Sequence, residues 1–139
     1  MAAPAKTLEI RTSPHLLSGY AVDSIMFNVV VALAPAIVFA FYAFGWAAVA
    51  VLGTATATCV ATEAVAGRAA GKSSTLGDWS AVVTGLLYGL TLPASLPLWM
   101  VVVGGLVSMI VGKLLFGGLG QNPFNPALVG RAVMQATFP

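Results

Sequence analysis

Three neutral carboxamides, Gln121, Asn122 and Asn125, are gathered in one short stretch, Gly117–Pro126, that reads Gly-Gly-Leu-Gly-Gln-Asn-Pro-Phe-Asn-Pro. A carboxamide both donates and accepts hydrogen bonds without carrying charge. The backbone around them cannot be plain helix. Pro123 and Pro126 each lack a donor and disfavour helical geometry in the preceding residue. Gly117, Gly118 and Gly120 tolerate positive φ and let other groups come close to the main chain. The stretch lies between two strongly apolar segments, and non-helical backbone beside a membrane core persists only where protein or a cavity covers it. It is therefore the first candidate site. The plainer alternative is that Asn122 and Asn125 only cap turns and a helix start.

Other residues with chemical potential are few. Cys59 is the only cysteine and lies in an apolar run, so it reads as a small core residue; no CxxC or Cys/His cluster suggests a metal. His15, the only histidine, precedes the first apolar run and reads as a surface residue. Gly71-Lys72-Ser73 suggests a phosphate loop, but that pattern requires glycine where Ala66 stands, and no strand precedes it. Glu63, near a helix end, is expected to be solvated, and Lys113 to reach the interface. Arg131 is expected either to reach back to the interface or to meet an anion at a helix start. No Asp/Glu/Lys network of the kind that marks an ion relay within the membrane is expected.

The elements that hold these residues read as membrane helices. The chain is 59% hydrophobic and only 7% charged, against about 25% charged residues in an ordinary soluble domain. The net charge of +2 is too small to argue for nucleic acid. Residues 1–21 form a polar to mixed N-terminal segment without the basic-then-apolar start of a signal peptide. The first helix is expected over 24–44, with Asp23 and Ser24 at its start and Asn28 as interhelical glue or, less favoured, a ligand contact. Gly45 connects it to a second helix over 46–65, whose Ala48, Gly53, Ala55 and Ala57 suggest close packing. A polar loop covers 67–79. The apolar run from Trp79 to Leu92 would rise about 21 Å, against a hydrocarbon core of about 30 Å. It is thus a short tilted span or a half-helix, of the kind found near the sites of discontinuous-helix folds. A clean span over 98–116 has a small-residue face of Gly104, Gly105, Ser108 and Gly112. After the Gly/Asn/Pro stretch, 127–138 begins a fifth helix, with Pro126 in its first turn and Asn125 as cap.

Positive charge orients these runs. If four runs cross, Lys6, Arg11, Arg68, Lys72 and Lys113 all fall on one side. The expected topology has a cytoplasmic N-terminus, with Gly117–Pro126 on the cytoplasmic side.

The run from Lys113 through Gly117–Pro126 to Arg131, ending in Phe138-Pro139, closely resembles the RnfD/NqrB family. These are membrane subunits of the Rnf complex and of the sodium-translocating NADH:quinone oxidoreductase. Ser13-Pro14-His15, Gly77-Asp78 with Ser80–Gly85, and Leu90-Thr91-Leu92-Pro93 agree, and the Ser-Pro-His start is closer to RnfD. The resemblance implies an all-α integral membrane fold in the bacterial cytoplasmic (inner) membrane. Residues 22–139 would be the first five-helix repeat, four spans plus the start of a fifth, of an inverted-repeat fold like that of urea and ammonium transporters. It also implies FMN linked covalently to a threonine beyond residue 139, and riboflavin held by the asparagines matching Asn122 and Asn125. Gly120 and Gln121 join that cofactor site by adjacency. No catalytic residue or metal ligand is expected, nor activity from this part alone. The lipid bilayer and other Rnf- or Nqr-type subunits are the implied partners, and NADH/ferredoxin or NADH/quinone redox coupled to sodium or proton transport is the implied function. A urea-transporter-like channel and a structural subunit without cofactor are the competing readings.

Overall fold

The computed structural model describes residues 21–71, 75–118 and 120–139. The N-terminal segment with Lys6, Arg11 and His15, and Lys72 and Ser73 of the loop, lie outside the described residues.

Five α-helices follow one another: α1 (Val22–Phe44), α2 (Trp46–Ala69), α3 (Ser80–Thr91), α4 (Leu98–Gly112) and α5 (Pro126–Thr137). Short 3-10 turns cover Thr75–Asp78 and Leu114–Phe116. No strand occurs among the described residues. Among those residues, three helical segments are long and apolar enough to cross a membrane: Val22–Phe44, Trp46–Ala69 and Leu98–Phe116. This is a multi-pass arrangement, and the third apolar run is shorter than the other three. α3 has 12 residues, about 18 Å of rise, which is well short of a hydrocarbon core.

Residue pairs at the interfaces give the helix directions. A Cβ on Gly85 would come 2.5 Å from the Cα of Thr56, and one on Gly89 would come 3.0 Å from Leu52, so α3 runs antiparallel to α2. Cys59 faces Gly105 and Glu63 faces Lys113, so α4 runs parallel to α2. Gly112 meets Pro126 while Gly104 meets Met134, so α5 returns along α4. Phe27 stacks edge-on against Trp79, with ring centroids 5.3 Å apart, which puts the start of α1 beside the start of α3. The starts of α1, α3 and α5 and the ends of α2 and α4 therefore share one end of the bundle.

Small residues at steps of four make these approaches possible. Ala81, Gly85 and Gly89 carry α3 against α2, and Gly104, Ser108 and Gly112 carry α4 against α5. The expected small-residue face of α4 is buried throughout. On α2, Ala48 and Ala55 are buried, but Gly53 and Ala57 point outward. Close backbone contact replaces the hydrophobic effect as the packing force where lipid is the solvent. α1 buries no residue. Its Asn28 is exposed and hydrogen-bonds to nothing among the described residues, so it does not glue these helices together. Asp23 falls in the first turn of α1 without capping it by a side-chain bond.

Candidate functional site

Pro126 opens α5, and the Asn125 side chain caps it, with Oδ1 accepting from the Ala127 N–H at 3.0 Å. The cap follows from chemistry: proline has no N–H to leave unsatisfied, and asparagine supplies the missing acceptor. Asn122 braces the loop by donating from Nδ2 to the Phe124 carbonyl at 2.8 Å. Gly117, Gly118 and Gly120 take φ of 103°, 107° and 83°, so the stretch turns where side-chain-bearing residues would be strained. The Ser108 hydroxyl donates to the Pro126 carbonyl at 2.6 Å, fastening the turn to α4.

Asn122 and Asn125 line one cleft of about 240 Å³ with Met26, Ser80, Thr84, Leu87, Lys113 and neighbouring apolar groups. Gly120 and Gln121 are exposed and are not in its lining. Both asparagines thus have a capping or bracing bond and also face the cleft. The bonds they already make leave the Oδ1 acceptor of Asn122 and the Nδ2 donor of Asn125 unused among the described residues.

One residue of this wall, Lys113, belongs to a charged pair that corrects two expectations. The Lys113 ammonium donates to Glu63 Oε1 at 2.6 Å, and both side chains are 3% exposed. Lys113 does not reach for the interface, and Glu63 is not solvated. Lys113 also donates to the Ser80 hydroxyl. Ser80 in turn donates to Asp78 Oδ1 at 2.6 Å, and its backbone N–H bonds to the same oxygen at 2.9 Å. A buried network, Glu63–Lys113–Ser80–Asp78, therefore joins α2, α4 and the start of α3, where none was expected. Ions removed from water need such partners. Lys113 also sits at the end of α4, where the helix dipole favours a cation. The Asp78 carboxylate accepts from the Ser80 N–H, and the residue between them at the start of α3, Trp79, is the only non-glycine residue with positive φ among those described (61°). Such geometry in a bulky residue costs roughly 1–3 kcal/mol.

A signal for the pair is present in the sequence. Ala55, Cys59 and Glu63 fall at steps of four, as do Gly105, Met109 and Lys113. The charged residue ends an inward stripe on each helix. Length and hydropathy hide it, because both residues lie close to helix ends.

Arg131 is not placed against an anion site at the start of α5. It lies in α5 beside a cleft with Leu92, Pro93, Leu96, Gln135 and Phe138, away from the helix start and toward the break after α3. Cys59 is fully buried, with its thiol 4.0 Å from the Gly105 carbonyl, as a core residue should be. No cluster of metal-ligating side chains occurs among the described residues.

The chain is similar to several known proteins, each the D subunit of a redox complex. It is 45% identical over 132 residues to that of the Na(+)-translocating ferredoxin:NAD(+) oxidoreductase complex of Acetobacterium woodii, covering 95% of this chain and 42% of that protein. It is 40% identical to that of the ion-translocating oxidoreductase complex of Halorhodospira halophila, covering 94% of this chain and 37% of the relative. It is also 40% identical to that of the proton-translocating ferredoxin:NAD(+) oxidoreductase complex of Clostridium ljungdahlii, covering 94% and 39%. The chain thus spans about two fifths of the length of these relatives. Residues 9–139 match the model of the NQR2, RnfD, RnfE family, and the chain belongs to that family.

Proposed function

We propose that this chain forms the flavin-holding first part of a membrane subunit in an ion-translocating electron-transport complex. One observation carries the reading: Asn122 and Asn125 meet on the wall of a single cleft with one acceptor and one donor left over. The edge of an isoalloxazine ring presents N–H and carbonyl groups side by side. An Asn122 Oδ1 acceptor and an Asn125 Nδ2 donor complement that edge without adding charge. Val83, Leu87 and Met26 supply apolar wall, in keeping with flavin sites that need few polar groups. The cleft is small enough to seat an edge rather than a whole cofactor, so neighbouring elements of the assembly would complete it. Gly120 and Gln121 would serve by shaping the loop, Gly120 through its positive φ.

Bound riboflavin would supply reversible electron transfer. The protein's own part is to hold the ring edge, keep water from it and fix the charge around it. FMN on a threonine beyond residue 139, an inverted repeat completing the fold, a cytoplasmic N-terminus in the bacterial inner membrane, and assembly with other complex subunits belong to the same proposal. They are supported by family membership and by the relatives being subunits of ion-translocating oxidoreductases.

The test is flavin content. In the full-length protein, Asn122→Ala or Asn125→Leu should lower non-covalent riboflavin without unfolding the protein. Unchanged stoichiometry in both variants would overturn the site, whereas a full-length protein that neither copurifies with flavin nor takes it up would favour a channel or a cofactor-free structural subunit.

A further inference from the structure

We propose that Lys113 is the electrostatic positioning residue of this cleft, held on its wall by Glu63 and Ser80 to stabilise negative charge on the ligand edge that faces Asn122 and Asn125. The inference rests on the flavin reading of the same cleft and adds to it a determinant of redox preference.

Four observations support it. Lys113 lines the cleft together with both asparagines. It is 2% exposed, so its charge acts in a low-dielectric setting where solvent and salt screen it little. Its ammonium has three donors, and the bonds to Glu63 and Ser80 occupy two of them, so a third donor stays unused among the described residues. The ammonium is also fixed in advance, because Ser80 is itself tied to Asp78 at the start of α3. A preorganised charge need not reorient when charge develops beside it.

The consequence has a sign. Oxidised isoalloxazine is neutral, whereas the reduced ring carries negative charge on its N1 and carbonyl edge. A fixed cation beside that edge therefore strengthens binding of the reduced form relative to the oxidised form. Glu63 opposes this in part, since its carboxylate compensates Lys113. The two partners of the ion pair thus push the redox preference in opposite directions. A purely structural role for the pair has no such asymmetry: losing either side would weaken binding of both forms alike.

The experiment uses the full-length protein in its complex, in lipid nanodiscs and stripped of non-covalent flavin. The probes are oxidised and dithionite-reduced riboflavin, and the dissociation constant of each is measured anaerobically. Lys113→Gln should lower the preference for the reduced form by about tenfold or more, equivalent to about 30 mV per tenfold for a two-electron couple. Glu63→Gln should raise the preference several-fold. If Lys113→Gln fails to fold, the double variant Glu63→Gln/Lys113→Gln leaves no uncompensated ion. Its preference for the reduced form should fall below that of Glu63→Gln alone. An unchanged ratio in Lys113→Gln, or equal ratios in the double variant and Glu63→Gln, overturns the role of Lys113 while leaving the flavin site standing. Riboflavin binding that is indifferent to Asn122→Ala and to Asn125→Leu overturns the placement of flavin in this cleft, and this inference with it.

Discussion

Lys113 and Glu63 are fifty positions apart in the chain, and their side chains meet at 2.6 Å in a buried ion pair. The pair locks the ends of two parallel helices together at the end of the bundle that carries the Asn122–Asn125 cleft. Removing one partner leaves a buried charge uncompensated, which typically costs about 3–5 kcal/mol. Lys113→Met should therefore lower thermal stability in detergent sharply. Glu63→Gln/Lys113→Met should lower it by less than the sum of the single changes, because the pair is coupled. Additive effects would show that the pair does not form.

Gly85 and Gly53 make opposite predictions for the same substitution. A Cβ at Gly85 would sit 2.5 Å from the Thr56 Cα and 3.1 Å from its backbone nitrogen, whereas one at Gly53 meets nothing within 4 Å. Backbone cannot yield as a flexible side chain can. Gly85→Ala should destabilise by about 1–3 kcal/mol, and Gly53→Ala should be neutral or stabilising by up to about 1 kcal/mol. Parallel melting curves decide between them.

Asn125 has two roles that one pair of substitutions separates. Asn125→Ala removes the cap on α5 and should cost about 1 kcal/mol. Asn125→Asp keeps an acceptor for the Ala127 N–H but removes the amide donor, so stability should hold while riboflavin content falls. Retained flavin in Asn125→Asp would assign Asn125 to capping alone.

Tyr88 is fully buried, and its hydroxyl has no hydrogen-bond partner among the described residues. Gly104 leaves the space that the phenol occupies. An unsatisfied buried hydroxyl is unfavourable by about 1–3 kcal/mol. Tyr88→Phe should thus leave stability unchanged or raise it. A marked loss in the melting temperature would reveal a partner for the hydroxyl in the assembled protein.

Ala70 is exposed just past α2, at the end of the bundle that carries the cleft. With Cys59 replaced by alanine, Ala70→Cys should be labelled by a membrane-impermeant maleimide from the cytoplasmic side only. Labelling from the opposite side would invert the proposed topology.

Local chemistry along the chain determined much of this protein. Apolar runs of about twenty residues can only be membrane helices, Gly45 must be a tight connection, and Asn125-Pro126 must start a helix, because each rests on groups near one another in sequence. The Gly117–Pro126 stretch was legible as a non-helical turn ending in a capped helix start for the same reason. The tertiary structure decided what depends on helix direction and rotation. It buried Glu63 and Lys113, which their position near helix ends had assigned to water, and it turned Asn28 outward and Arg131 toward the break after α3. It also cut the helix after Trp79 to 12 residues. Hydropathy reports how apolar a segment is but not which helix lies beside it, and a charge is stable in the interior only when another element brings its partner. That partner is set by packing, here by glycines that let α2, α3 and α4 close on one another.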